Sequence, residues 1–106
     1  MLKFSDIISM RAAENACNEG FLIKTLLLPE GLGGRDCPEN VVYIPPHAWE
    51  IKDNSTVELL NAVGKGMVDV AVVPTYRGMS FVPTQITITA AHPGMPLGYM
   101  LEIEIW

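Results

Sequence analysis

At 106 residues, 49% apolar and 18% charged, with a net charge of −5, the chain has the size of one domain and enough apolar matter for a core without staples. Its seven basic residues (Lys3, Arg11, Lys24, Arg35, Lys52, Lys65 and Arg77) are scattered, so no cationic stripe faces a phosphate backbone, which argues against nucleic acid as a partner. The longest apolar stretch, Phe21 to Leu28, is interrupted by Lys24 and Thr25 and falls short of the ~18 residues a membrane span needs.

The first segment, Met-Leu-Lys-Phe-Ser-Asp, places Asp6 where the apolar region of a secretion signal would run, so a cytoplasmic location is expected. Ser5 or Asp6 is positioned to cap a helix that reaches Glu19 and stops at Gly20. Its apolar face is Met10, Ala12, Ala13, Ala16 and Cys17, thin enough to lie close to a sheet. Phe21 to Leu28 reads as a strand because Gly20 separates it from the helix. Residues 29–40 hold three glycines and two prolines and read as a long loop.

Val41 to Ile44 is a short strand ended by Pro45-Pro46. Ser55-Thr-Val-Glu58 has the capping-box pattern, which predicts a helix through Val57, Leu59, Leu60 and Val63 to Gly64. Met67 to Pro74, Phe81 to Ala91 and Leu97 to Trp106 read as three further strands, with Thr75 to Gly78 as a hairpin loop and His92 to Gly98 as a second turn. The last strand alternates Leu101, Glu102, Ile103, Glu104 and Ile105 and closes the chain, so residues 1–106 are expected to form one complete domain.

The expected class is α+β: a mixed sheet of about five strands with two helices. It contains one β-α-β unit over 41–74, parallel and right-handed, followed by an antiparallel meander over 68–106. Parallel strands carry their C-terminal ends to one sheet edge, where ligands of α/β sheets bind. That logic gathers His47, Trp49, Tyr76, Arg77 and Trp106 as a candidate ligand site and sends His92 to the other edge. Arg77 would pair a carboxylate or phosphate, the aromatic rings would wall a flat ligand, and His47 is the candidate base. A packing role for the two tryptophans, with Arg77 decorating a turn, is the competing reading. Glu102 and Glu104 read as a solvated face that discourages edge pairing.

Other chemistry finds little support. The two cysteines, Cys17 and Cys37, lack a close spacing and are expected as free thiols. A nucleophile pair of Cys37 with His47 has nothing in its spacing to require it. Two histidines and two cysteines, all far apart in sequence, point to no metal site, and no cofactor motif is present. Gly31 to Asp36 lacks the helix that a phosphate loop precedes, and Val63 to Gly66 lies at a helix end, where the dipole repels anions. Met95, Pro96 and Leu97 form an apolar turn that is a candidate contact surface between copies.

Three functions remain open. The first is a small acidic homo-oligomeric binding or accessory protein without catalysis. The second is a small-molecule enzyme, or a binder of an anionic or aromatic ligand, built on His47, Trp49, Tyr76 and Arg77. The third is a protein inhibitor or antitoxin-like module that captures a basic partner.

Overall fold

The computed structural model describes residues 3–64, Gly66, 68–91 and 98–106. The apolar turn at Met95, Pro96 and Leu97, and His92 with it, lie outside these residues. The fold is α+β, with two α-helices and five strands, but the strands form two antiparallel sheets rather than one mixed sheet.

Helix α1 is Met10–Asn18. Its N-cap is Ser9, whose hydroxyl accepts a hydrogen bond from the Ala12 amide at 3.1 Å, so the helix begins one turn after the Ser5/Asp6 start read from the sequence. Residues Phe4–Asp6 form a separate 3-10 turn. Ala13 and Ala16 are the buried positions, and Gly20, at φ 84°, turns the chain out of the helix.

Strand β1 (Ile23–Leu26) pairs antiparallel with β2 (Val41–Ile44), in the register Ile23 to Ile44 and Leu26 to Val41. The connection between them is closed by one side chain. Asn40 Oδ1 accepts from the Leu28 amide at 2.8 Å, while its Nδ2 donates to the Leu28 and Arg35 carbonyls, each at 3.0 Å. A Cβ on Gly34 would overlap the Leu28 carbonyl, so only glycine lets the loop fold so close to the strand end.

Helix α2 is Pro46–Gly64 and begins nine residues before the capping-box pattern. Pro46 occupies the first helical position, where its missing N–H is no loss, and the Pro45 carbonyl accepts from the Ala48 and Trp49 amides. Ser55 and Thr56 therefore lie inside the helix. Their hydroxyls donate back to the Lys52 carbonyl, at 2.6 and 3.0 Å, instead of capping a terminus. Glu58 reaches across to donor Tyr99 Oη at 3.0 Å.

Strands β3 (Val68–Thr75), β4 (Gln85–Ala91) and β5 (Tyr99–Glu104) form the expected antiparallel meander. A register shift between Val68 and Ala71 marks a bulge at its start. Pro74, Ile86 and Ile103 form one cross-strand row on the core face, and Val72, Ile88 and Leu101 form the next. On the outer face, Gln85 Nε2 donates to Glu104 Oε1 at 2.7 Å. Buried residues from α1, β2, α2, β4 and β5, with Leu22 and Leu27 at the two ends of β1, join one apolar cluster that includes Ile44, Leu59, Ile86 and Ile103.

The β-α-β unit expected over 41–74 keeps its chain order but not its parallel pairing. Among the described residues, β2 pairs only with β1, and β3 only with β4. Helix length explains this. The 19 residues of α2 span about 28 Å, whereas the four residues of β2 span about 13 Å. A helix running back along so short a strand overshoots it, and β3 starts a second sheet. Helix α2 then bridges the sheets, touching β1 and β5.

Candidate functional site

Two clefts open on the described surface. The larger, about 390 Å³, lies where α1, the approach to β2, and the loop after β3 meet. Met10 contributes from the start of α1, Val41 and Tyr43 from β2, and Tyr76, Met79 and Phe81 from the loop. Its size falls in the range of small-molecule pockets, roughly 300–1,000 Å³.

Hydrogen bonds fix the cleft wall. Ser80 is buried, its hydroxyl donating to the Phe4 carbonyl at 2.6 Å and accepting from the Val82 amide at 3.0 Å. The Phe81 amide donates to the Ile7 carbonyl at 2.7 Å. The loop is thus tied to the N-terminal turn, and Gly78, at φ 59°, provides a left-handed bend within the loop. Tyr43 Oη donates to Met10 Sδ at 3.0 Å, holding one methionine against the wall. Met79, 75% exposed, stands free at the rim.

Tyr76 is nearly half exposed, yet burial of its ring against the cleft wall pushes its phenol pKa up from the ordinary value. The phenol stays neutral through the physiological range and can donate or accept a hydrogen bond at the mouth of an otherwise apolar cleft.

The smaller cleft, about 190 Å³, lies along one flank of α2. Trp49, Lys52, Asp53 and Thr56 recur at helical spacing and face Thr25 and Leu26 of β1, with Pro29 and Glu30 at the loop side. Burial lowers the Lys52 pKa, and the nearby Asp53 carboxylate opposes that shift.

The five site residues read from the sequence fall into four places. Arg77 and Trp106 come together, with the guanidinium carbon 5.9 Å from the centre of the Trp106 ring. Trp106 is held there by its indole N–H, which donates to the Val82 carbonyl at 3.0 Å. Tyr76, one residue away, lines the larger cleft, and Trp49 lines the smaller. His47 is exposed in the first turn of α2 and lines neither cleft. The meander directions suffice to bring Arg77 to Trp106. The placement of His47 and Trp49 beside them depended on a parallel β2–β3 pair, which the described strands do not form.

Cys17 and Cys37 are free thiols, and burial pushes the Cys17 pKa up, against the sense of a reactive thiolate. Among the described residues, no three His, Cys, Asp or Glu side chains gather as metal ligands. No described helix is long and apolar enough to cross a membrane.

Sequence reasoning passed over Met10, Tyr43, Phe81 and Lys52. Met79 carried a visible signal, an apolar side chain in a Gly-Met-Ser turn between strands. Lys52 carried none, because the helix that buries it was expected to start only at Ser55. Comparison with known protein families, curated proteins and solved structures finds no match.

Proposed function

We propose that the chain is a binding module without catalysis, which holds a small aromatic or apolar group in the cleft between α1 and the loop after β3. The observation that carries this reading is the cleft itself: Met10, Tyr43, Tyr76, Met79 and Phe81 around about 390 Å³. Two methionines give an adaptable wall, two tyrosines and a phenylalanine give flat surfaces for a ring, and the Tyr76 phenol offers one polar anchor. The single apolar cluster that runs through both sheets supports treating residues 1–106 as one domain.

The same reading expects self-association through exposed apolar side chains such as Ile8, Phe21 and Met100. It also expects a reducing, cytoplasmic setting, with which two free thiols agree. The enzymatic alternative has less behind it, since its base and anion clamp, His47 and Arg77, share no described cleft or hydrogen bond. No observation favours the inhibitor alternative.

Titration with the fluorescent apolar probe anilinonaphthalene sulfonate tests the reading. Saturable binding at one site is expected in the native chain. Met79→Asp places a charge at the rim and is expected to weaken binding about tenfold or more, while Trp49→Ala, in the other cleft, leaves it unchanged. Absence of saturable binding, or equal binding by the Met79→Asp chain, sinks the proposal.

A further inference from the structure

We propose that Lys52 is a carbonyl-reactive amine, and that the cleft along α2 takes a small, flat, uncharged aldehyde and holds it as an imine on Lys52 Nζ. This site is separate from the cleft of the proposed function and does not rest on that reading.

Lys52 belongs to the buried stripe of α2, with Ala48, Ser55 and Leu59, and is only 4% exposed. Lysine is almost never buried to this degree without a partner. Lys52 is nonetheless part of the lining of the smaller cleft, so part of its side chain reaches open space there.

The surroundings select both the state of the amine and its ligand. Burial disfavours the ammonium, so a larger share of Lys52 is the free base at neutral pH than for an exposed lysine. Trp49, one turn before Lys52, supplies a flat wall. The Thr25 and Thr56 hydroxyls are within the same lining, and Asp53 and Glu30 make it repel anions, which favours a neutral ligand. A volume of about 190 Å³ equals roughly six water-sized shares of about 30 Å³, enough for one ring with its carbonyl.

The chemistry balances without a further reactant. The amine lone pair attacks the carbonyl carbon, a C–N bond forms, and the carbonyl oxygen takes a proton to give a carbinolamine. The nitrogen gives up its proton to a cleft carboxylate, Asp53 or Glu30, and a proton delivered to the hydroxyl lets water leave. The products are an imine and one water, with no net oxidation or reduction. Carboxylates within the lining suit both proton transfers.

Reductive trapping tests the proposal. The full chain at pH 7 is treated with limiting benzaldehyde and sodium cyanoborohydride, which converts an imine to a stable secondary amine, and labelled lysines are mapped by peptide mass spectrometry. Lys52 is expected to label severalfold faster than the exposed Lys24, because burial leaves more of it as the free base. The preference is expected to vanish in urea, and Trp49→Ala is expected to cut benzaldehyde labelling severalfold while sparing labelling by propanal. Labelling of Lys52 no faster than Lys24 overturns the site. A preference that survives unfolding overturns it as well, and an undiminished response of Trp49→Ala overturns the flat-ligand assignment.

Discussion

Asn40 and Gly34 close the long connection between β1 and β2 from opposite sides. Asn40 satisfies both backbone groups of Leu28 with one amide, and Gly34 leaves room for the Leu28 carbonyl. Asn40→Ala strands partly buried backbone groups and is expected to cost about 1–3 kcal/mol in denaturant unfolding. Lys52 works in the opposite direction. Its folded pKa lies below that of an exposed lysine, so at neutral pH the folded state bears the penalty of a buried charge. That penalty is fully present below the folded pKa and fades as pH rises towards the unfolded value, about 10.4. Lys52→Met is therefore expected to raise the urea midpoint at pH 7, with the gain over the parent chain closing by about pH 10.4. An equal gain at both pH values would place the effect in packing rather than in charge.

At the scale of elements, α2 shows how a strong local signal loses to a longer one. Ser55-Thr-Val-Glu58 satisfies the pattern of a helix start, but the helix already runs through it from Pro46. The buried stripe reads Ala48, Lys52, Ser55, Leu59, so two of its four positions are polar and the apolar periodicity is invisible in the sequence. Asn54→Pro separates the two readings. Proline at an interior position removes a hydrogen bond and clashes with the preceding turn, costing about 3 kcal/mol or more. Before a helix that began at Ser55 it would cost little. Circular dichroism and urea unfolding of the variant check this.

At the scale of the whole molecule, the chain is elongated, with extents of 45 × 22 × 21 Å and a radius of gyration of 14.4 Å, against about 13 Å for a compact chain of this length. Two small sheets joined by a bridging helix account for that shape. The bridge to the meander includes the Tyr99–Glu58 hydrogen bond, and burial together with the Glu58 carboxylate pushes the Tyr99 pKa up to about 12. The sign follows from the raised value: stability from this contact is intact below the ordinary tyrosine pKa, about 10, and is lost as pH rises towards 12. Urea midpoints of the parent chain are expected to fall across that window. Tyr99→Phe is expected to unfold slightly more easily at pH 8, with a flatter decline above pH 10.

What the sequence determined by itself was whatever short-range chemistry controls. Alternation of Ile86, Ile88 and Ala90 with threonines made β4 legible, the closing alternation made β5 legible, and Gly20 marked the end of α1. From these came the α+β class, the antiparallel meander and the meeting of Arg77 with Trp106. Only the tertiary structure decided which strands pair across the long loop and across α2, because a short strand carries no mark of its partner and the length of α2 was hidden in a polar stripe. It also decided that Lys52 shares a cleft with Thr25 of β1 and that Tyr76 shares one with Met10, since each cleft joins residues far apart in the chain by packing of whole elements rather than by spacing.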